Sequence, residues 1–391
     1  MIKRRMQTEI LKAVKGFPVI TVTGPRQSGK TTLVRNAFKT YEYFNLENPE
    51  TLLRAKSDPR SIFADLKKGI VIDEVQKAPE LLSWAQLFTD ELQLPGRLIL
   101  TGSNQFEYLS SIGQSLAGRT AIFKLLPLSL SELKIATKQS WEDYLVKGFY
   151  PRLYKEKIEP QLFYSSYVMT YLERDIRNLI KVKDIGAFER FISLCAARSG
   201  QLLNLSSLAL DCSVDIKTIS SWINLLEASY IVYLLKPHYN NLNKRIIKAP
   251  KLYFLDAGLC AYLMGIRTRQ DILHHPFRGE LFETLVVGEV IKHYFNRGIV
   301  PPLTFLRDSR GHEIDLIVSS AADIYPIEIK SGSTINSAFF GNLNYLRKIL
   351  NRELEGAVIF GDKRKEEMNG YRISGWDSVS ELLDWQEAKK A

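Results

Sequence analysis

The sequence predicts an α/β protein whose first part is a parallel sheet covered by helices on both faces. Strand-like and helix-like patterns alternate as far as about residue 135. The strand-like runs are short and nearly all apolar, as at residues 70–72 and 98–100, which is typical of parallel strands buried on both sides. A glycine-bearing loop joins the first strand to a helix at residues 24–31, and such loops often hold ligands in α/β proteins.

Five strands are expected in this first part, at residues 17–23, 41–46, 69–72, 97–101 and 121–125. One helix is expected directly after the glycine-bearing loop, and a second over residues 49–66. From about 140 to 265 the pattern becomes helical and aromatic. The last part contains a helix at 279–295, strands at 303–307, 313–318 and 325–329, and another helix.

With 391 residues the chain is long enough for two or three domains, and we place them at 1–135, 136–265 and 266–391. The net charge of +10 favours an anionic partner, nucleic acid ahead of lipid, although solubility alone also explains it. Cys195, Cys212 and Cys260 have neither metal nor redox spacing, which indicates a reducing compartment. No signal-peptide pattern and no apolar window of ~18 residues occurs, so we expect a cytoplasmic protein without a membrane span.

Residues 24–31 match G-x-x-x-x-G-K-[ST], the phosphate-binding loop (P-loop) of nucleoside triphosphatases. Glycines let the backbone turn its N–H groups onto phosphate oxygens, and the start of the next helix adds partial positive charge. Lys30 is expected to bridge the β- and γ-phosphates, and the Thr31 hydroxyl to ligate Mg²⁺. A chance match on a glycine-containing turn is the alternative. The residues expected to bind ATP are Gly24, Pro25, Arg26, Gln27, Ser28, Gly29, Lys30, Thr31 and Thr32.

Two acids end the apolar strand at residues 70–72. Asp73 is expected to complete the Mg²⁺ site with Thr31, and Glu74 to polarise the water that attacks the γ-phosphate. The alternative is a pair of surface acids at a strand end. The next apolar strand ends at Ser103 and Asn104, either of which could orient that water or simply cap a loop.

Arg119 lies in the segment Leu116-Ala117-Gly118-Arg119 and is a candidate arginine finger, a residue that reaches the nucleotide of a neighbouring subunit. A solvated surface arginine is the alternative. The phrases GPRQSGKTT, IVIDEVQ, LILTGSN and SLAGRTAIFKLLPLSLSEL resemble the AAA+ branch of the P-loop ATPases. With residues 148–151, 251–259 and 278–283, the chain resembles prokaryotic AAA ATPases that carry an uncharacterised C-terminal domain. The resemblance implies an oligomeric ATPase in which Arg119 is a finger, and a helical lid that contacts the nucleotide site near Gly148 and Pro151.

Residues 202–237 have the pattern of a winged helix inside this lid region. A short helix at 205–210 and a turn at 211–214 precede a helix that Asp215 caps. Ile216, Ile219, Ile223 and Leu226 share one face of that helix, and Lys217, Ser220, Ser221 and Asn224 the other. Strands at 231–235 and 246–254 would form the wing. A basic cluster suited to phosphates surrounds them, although it is also compatible with a solvated scaffold: Lys236, Lys244, Arg245, Lys248 and Lys251.

Two strands in the C-terminal part place acids at matched ends. Asp315 and Glu328 would hold Mg²⁺, and Lys330, two residues after Glu328 on the same strand face, would orient or deprotonate a water. Solvated strand ends are the alternative. The pattern resembles the restriction-endonuclease-like (PD-(D/E)XK) nucleases, and the resemblance adds Glu283 on the preceding helix as a further metal ligand, with Glu280 as a weaker choice.

These observations predict three parts: a P-loop AAA+ parallel-sheet domain, a helical lid with a winged helix, and a C-terminal restriction-endonuclease-like α/β domain. The function expected is ATP hydrolysis with Mg²⁺, coupled to a task on DNA or RNA by a homo-oligomer. The alternative is an ATP-driven regulatory or signalling switch whose C-terminal domain only binds a partner.

Overall fold

A computed structural model describes residues 2–103, 115–133, 139–176, 184–238, 248–320 and 323–389. Within these ranges the strands form two sheets, one with five strands and one with nine. None of the helices described there combines the length and the apolar character that crossing a bilayer requires. The three cysteines are buried and form no disulfide.

The five-stranded sheet is entirely parallel, as predicted, in the order β2-β3-β4-β1-β5. Its strands are β1 (Val19–Gly24), β2 (Glu42–Asn45), β3 (Ile70–Asp73), β4 (Leu98–Ser103) and β5 (Thr120–Lys124). The helices of this part are α1 (Met6–Ala13), α2 (Lys30–Ala37), α3 (Pro49–Ser57), α4 (Pro59–Ile62) and α5 (Leu81–Leu92). The carboxyl ends of the neighbouring strands β3, β4 and β1 lie at one edge, which brings Asp73, Ser103 and Gly24 together.

The single helix expected over residues 49–66 is wrong in its extent. Helix α3 ends at Ser57, and α4 begins at Pro59. Because a proline disfavours the helical conformation in the residue before it, Asp58 takes φ −138° and ψ 73° instead. Its carboxylate then accepts a hydrogen bond from the backbone N–H of Ser61 and caps the next helix.

The middle part begins with helices packed around an aromatic core that includes Trp141, Tyr150, Tyr164 and Tyr167. Its helices are α6 (Trp141–Lys147), α7 (Arg152–Lys155), α8 (Pro160–Tyr167), which continues as a π-helix (Val168–Ile176), α9 (Ile185–Ala197), α10 (Leu205–Cys212), α11 (Ile216–Ala228), α12 (Ala257–Leu263) and α13 (Arg269–His274). Strands β6 (Gln201–Leu202), β7 (Val232–Pro237) and β8 (Lys251–Phe254) accompany them, with β8 antiparallel to both of the others.

The C-terminal part begins with α14 (Arg278–Asn296), a long helix that is buried along most of its length. It continues with β9 (Leu303–Arg307), β10 (Glu313–Ser319), β11 (Ile324–Lys330), α15 (Gly341–Leu350), β12 (Ala357–Phe360), β13 (Glu366–Met368), β14 (Tyr371–Gly375) and α16 (Val379–Ala388). Strands β9, β10 and β11 form an antiparallel unit, to which β12 and then β14 add in parallel. The helix and the three strands expected after residue 277 agree with these bounds to within two residues.

The middle and C-terminal parts share one sheet, because β7 pairs in parallel with β9 at Lys236–Thr304 and Pro237–Phe305. The order across this sheet is β13-β14-β12-β11-β10-β9-β7-β8-β6. Strands on both sides of the predicted boundary at residue 265 are therefore hydrogen-bonded to each other. A movement of the middle part relative to the C-terminal part would have to break this pairing or carry both parts along.

Candidate functional site

The P-loop has the backbone conformation that phosphate binding requires. Gly24 and Gly29 take φ 150° and 95°, values that side chains with a Cβ atom rarely adopt. A Cβ at Gly24 would lie 2.1 Å from the carbonyl oxygen of Leu125, so only glycine fits there. Helix α2 starts at Lys30, immediately after the loop, and its free N–H groups face the same edge of the sheet.

The Lys30 ammonium lies inside the loop. Its Nζ atom donates to the carbonyl oxygens of Gly24 and Pro25 at 3.0 Å each, and only 5% of the residue is exposed. Burial lowers the pKa of Lys30, whereas Glu74 and Asp73 act in the opposite direction. An ammonium held by two carbonyl oxygens is well placed to exchange these weak partners for phosphate oxygens.

The two residues expected to hold Mg²⁺ are in contact. The Thr31 hydroxyl donates to Oδ2 of Asp73 at 2.8 Å, and the Tyr43 hydroxyl donates to the same oxygen at 2.5 Å. Thr101 donates to the other oxygen, Oδ1. Burial and the contact with Asp73 raise the pKa of Tyr43, so this phenol remains a donor. A hydroxyl beside a buried carboxylate is the oxygen donor set that Mg²⁺ prefers, so these residues fit the ion.

Glu74 follows Asp73 with φ 59°, a left-handed conformation that turns its side chain away from the strand direction. Its backbone N–H donates to the Thr101 hydroxyl at 3.2 Å. Its carboxylate accepts a hydrogen bond from the amide of Gln76 and another, at 3.2 Å, from the Ser103 hydroxyl. Ser103 therefore contacts the expected general base. Asn104 lies outside the described residues.

Residues from elsewhere in the chain surround the P-loop. Arg4 donates to the carbonyl oxygen of Ser28 at 2.7 Å, and the guanidinium of Arg26 lies 5.6 Å from the centre of the Tyr171 ring. A Cβ at Gly29 would lie 3.7 Å from both Pro151 and Arg4. The helical middle part thus touches the loop near Pro151, where the resemblance expected a lid contact.

Arg119 lies at the opposite edge of the five-stranded sheet from the P-loop. Its carbonyl accepts a hydrogen bond from Val19, the first residue of β1, whereas the P-loop follows the last. Six strand residues separate the two edges by roughly 17–20 Å. The guanidinium forms an exposed, two-point ion pair with Asp90. Arg119 cannot reach the P-loop of its own chain, and its role on a neighbouring subunit stays a prediction.

The helix expected to recognise nucleic acid is α11. Asp215 caps it by accepting from the Thr218 N–H at 2.8 Å. Lys217, Ser221 and Asn224 are exposed along one side, as predicted, whereas Ser220, expected on the same side, is half-buried. Ile216, placed on the buried face, is instead 49% exposed, because it lies in the first turn where the helix projects from the core.

The basic cluster expected around the wing is divided by the structure. Lys236 and Lys248 are exposed, and Lys244 and Arg245 lie outside the described residues. Lys251 does not belong to a phosphate-binding surface, because it is 2% exposed and paired with carboxylates of the C-terminal part. Its side chain lies on the face of β8 that is turned towards Glu283 of α14.

In the C-terminal part, Lys330 connects the two acids of the expected nuclease pattern. Its Nζ atom lies 2.6 Å from Oε1 of Glu328 and 3.3 Å from Oδ2 of Asp315. The same Asp315 oxygen accepts from the backbone N–H of Ile329 at 2.8 Å. Glu328 also accepts from Asn342 on α15 at 3.1 Å, and its Oε2 is buried without a hydrogen-bond partner among the described residues.

The carboxylates that lie close together are Glu283, Glu313 and Asp315, with one oxygen from each within 4.8 Å of the others. Glu328, expected as a metal ligand, is not in this group, because it is directed towards Asn342 on α15. Glu283 belongs to it as expected. Glu280 lines the same cleft but contributes no oxygen to the group.

Burial dominates the electrostatics of these acids. It raises the pKa of Glu283 to about 7, with Lys251 opposing the rise and Asp315 adding to it. It raises the pKa of Glu328 to about 8, with Asp315 adding to the rise and Lys330 opposing it. Glu283, Glu313 and Asp315 border a cleft of about 630 Å³ between the middle and C-terminal parts, with Gln201 and Arg307 also on its wall.

Several residues in these sites escaped the sequence reasoning. Glu313 could have been found, because it lies two positions before Asp315 on the same strand. Thr101 and Gln76 lie within two of the motifs described above, LILTGSN and IVIDEVQ, and their polar side chains could have indicated a place in the site. Arg4 gave no signal, since a basic residue in an undistinguished segment is usually solvated. Lys251 was assigned to the basic cluster, and nothing in the sequence indicated its carboxylate partners.

Comparison with known proteins finds a family match for the part of the chain that forms the five-stranded sheet. Residues 16–134 match the family model of an AAA domain, which supports an AAA-type ATPase domain in this segment. Residues 138–270 and 278–376 match two domains of unknown function, DUF8612 and DUF4143. These matches attach no chemistry to the middle and C-terminal parts.

Among curated proteins, an uncharacterized protein of Mycobacterium tuberculosis is 29% identical over 338 residues, covering 85% of this chain and 74% of the relative. An uncharacterized protein of Haemophilus influenzae is 24% identical over 300 residues, covering 68% of this chain and 74% of the relative. A Walker-type ATPase of Pyrococcus abyssi superposes with a TM-score of 0.45 at 13% identity, covering 68% of this chain and 96% of that one. AMPPCP-bound DnaA from Aquifex aeolicus superposes with a TM-score of 0.29 at 15% identity, covering 57% of this chain and 85% of that one.

Proposed function

We propose that this chain is a Mg²⁺-dependent ATPase of the AAA+ type that couples ATP hydrolysis to a task on nucleic acid. The observation that carries the ATPase proposal is the contact of Thr31 with Asp73 beside a P-loop that holds Lys30. Three catalytic elements therefore lie at one sheet edge: a phosphate-binding backbone, a buried ammonium and a pair of strand-end acids.

Each group of residues at this sheet edge has its own role in ATP binding and hydrolysis. The N–H groups of the loop and of the start of α2 bind the phosphates, and the Lys30 ammonium exchanges its carbonyl partners for phosphate oxygens. Thr31 and Asp73 would hold Mg²⁺, which supplies positive charge beside the phosphates when bound. Glu74 takes the proton from the attacking water, and the hydrogen bonds from Gln76 and Ser103 set the direction of its carboxylate.

The nucleic-acid part of the proposal rests on the middle part. Its order of helix, short strand, two helices and a strand pair supports a winged helix, with α11 as the recognition helix. Lys217, Ser221 and Asn224 offer an exposed charged and polar face, and Lys236 and Lys248 are exposed nearby in the chain. The net charge of +10 would attract a polyanion.

For the C-terminal part we propose a restriction-endonuclease-like fold. Helix α14, three antiparallel strands, helix α15 and the parallel strand β12 support it. A second candidate function has an observation in its favour: Lys251 lies between carboxylates where nuclease chemistry would need a metal. In that case the chain is an ATP-driven switch whose C-terminal part binds a partner without cleaving it.

One assay separates the two candidates. The ATPase rate of the full chain is measured with Mg²⁺ alone and then with added duplex DNA, single-stranded DNA or RNA. A rate that rises with a nucleic acid supports the first candidate, and a rate indifferent to all three supports the switch. Lys30→Ala is expected to abolish ATP binding, whereas the exposed Lys39→Ala serves as the matched control. Normal hydrolysis in Lys30→Ala would contradict the ATPase proposal itself.

A further inference from the structure

Lys251 is a buried cation inside the acidic group of the C-terminal part. Only 2% of the residue is exposed, and its Nζ atom lies 2.9 Å from Oε1 of Glu283 and is also hydrogen-bonded to Glu313. Both acids belong to the group that includes Asp315. Burying an ammonium is costly, and carboxylates that compensate its charge offset this cost, so these contacts stabilise the buried position of Lys251.

The restriction-endonuclease-like fold implies a divalent metal at such an acidic group, and the residues present do not fit one. Oε1 of Glu283 already accepts hydrogen bonds from Lys251 and, at 2.5 Å, from the Tyr253 hydroxyl. A metal among these three acids would lie in direct contact with the ammonium. Two cations at that separation repel strongly in a site with little water.

The surroundings of Lys251 hold its ammonium in the group. Its backbone is fixed in the sheet, because Lys251 pairs with Leu202 on β6 and with Leu235 on β7. Its Nζ atom is then held by two carboxylates and lies 5.6 Å from the centre of the Phe305 ring. With 2% of the residue exposed, water offers little competition for these contacts.

The charges balance closely without a metal. The acids of the neighbourhood are Glu283, Glu313, Asp315 and Glu328, and the cations that touch them are Lys251, Lys330 and Arg307. Four carboxyl groups thus face three cations, and the raised pKa values of Glu283 and Glu328 reduce the negative charge further. A divalent ion would leave an excess of positive charge in a mostly buried region.

We propose that Lys251 is a built-in counter-ion that takes the place of a divalent metal in this cluster. The cluster then joins the middle and C-terminal parts through a buried ion pair and does not hydrolyse phosphodiester bonds. This inference rests on the proposed fold of the C-terminal part and favours the second candidate function. It does not depend on the ATPase activity of the first part, because the two sites share no residue.

Binding of Mn²⁺ to the full-length, nucleotide-free protein tests the inference, measured as free Mn²⁺ by electron paramagnetic resonance. The cluster of the wild-type chain is expected to bind no Mn²⁺. Any Mn²⁺ that the wild type does bind should therefore still bind to Asp315→Asn. Lys251→Met removes the ammonium from between the carboxylates and is expected to gain a Mn²⁺ site that Asp315→Asn, added to it, removes again. Lys236→Met removes an exposed lysine of the adjacent strand and should gain none.

The outcomes are distinct. A Mn²⁺ site in the wild-type chain that disappears in Asp315→Asn overturns the inference, whatever the variants do. Wild-type binding that Asp315→Asn leaves unchanged lies elsewhere, for example at the P-loop, and supports it. If Lys251→Met folds only when Mn²⁺ is present, the metal has replaced the ammonium, which supports the inference.

If Lys251→Met folds neither with nor without Mn²⁺, a second substitution decides. Lys251→Met combined with Glu283→Gln removes the uncompensated charge and is expected to restore folding; failure of that pair contradicts the counter-ion role. An inactive ATPase with these binding results would contradict only the proposed function.

Discussion

The guanidinium of Arg4 donates a 2.7 Å hydrogen bond to the carbonyl oxygen of Ser28, and so connects the segment before α1 to the P-loop. The same side chain donates to the Leu126 carbonyl at 2.7 Å and pairs with Glu132 at 3.0 Å. Arg4 is nearly buried, so its bonds compete little with water. It acts as a positioning residue that sets where the loop backbone lies before nucleotide arrives.

We expect Arg4→Ala to weaken ATP binding more than it slows turnover. Loss of the guanidinium leaves two buried carbonyl oxygens and Glu132 without their donor, at a cost of about 1.5–3 kcal/mol. The KM for ATP should rise about tenfold while kcat changes little, and Arg4→Lys should recover part of the loss. A kcat that falls with an unchanged KM would show that Arg4 does more than position the loop. Arg5→Ala is the matched control, because the Arg5 side chain is about half exposed and, among the described residues, makes no hydrogen bond or ion pair with the P-loop.

Glu74→Gln is expected to bind ATP normally and to hydrolyse it poorly. The amide keeps the size of the carboxylate and can still accept from Gln76 and Ser103, but it cannot take a proton from water. Turnover should fall by roughly 10²–10⁴-fold, with an unchanged dissociation constant measured by a fluorescent ATP analogue. Exposed Glu80→Gln should behave as the wild type. Wild-type hydrolysis in Glu74→Gln would remove Glu74 from its proposed role.

Arg119→Ala is expected to lose turnover while keeping ATP affinity. Arg119 lies at the sheet edge opposite its own P-loop, so it would contribute to hydrolysis by acting on the nucleotide of a neighbouring subunit. An arginine supplied by another subunit contributes ~10³-fold or more to the rate. The specific activity of the wild type should fall when the protein is diluted to where it dissociates. Asp90→Ala removes only the surface partner of Arg119 and should remain active. A strictly monomeric, fully active wild-type enzyme would rule out the finger.

His293 is expected to make the protein less stable in mild acid. Burial lowers the pKa of its imidazole from 6.5 to about 4; Asp384 opposes this, and Arg297 and Arg5 add to it, while Glu387 also faces the ring at 3.9 Å. The unfolded chain therefore binds a proton between pH 6.5 and 4 that the folded chain does not. This contribution to stability is complete above pH 6.5 and is lost as the pH falls towards 4, by about 2–3 kcal/mol.

Chemical denaturation at pH 7, 5.5 and 4.5 measures this effect. His293→Gln should flatten the dependence of the unfolding free energy on pH over this range, because glutamine takes up no proton. His274→Gln, at an exposed position, should leave the wild-type dependence intact. An equal loss of stability in wild type and His293→Gln would assign the acid sensitivity to other groups.

Much of the first part was predictable from local pattern. Short apolar strands, a loop in which glycine is required, and acids at strand ends are each encoded by a few consecutive residues, and parallel strands place their carboxyl ends at one edge. Thr31 and Asp73 could therefore be paired before their 2.8 Å contact was known. The prediction of a single helix at 49–66 is wrong, because Pro59 disfavours the helical conformation at Asp58 and so ends the helix there.

By itself, the sequence determined the P-loop, its partner acids and the positions of the strands along the chain, because these depend on residues that are neighbours in the chain. Only the tertiary structure decided what Arg4 and Lys251 do. Arg4 contacts a loop 24 positions away, and Lys251 meets acids 32 and 62 positions along the chain. A lone basic residue in sequence looks solvated. Its burial, and hence its role, follows from which distant carboxylates and carbonyl oxygens the fold brings to it.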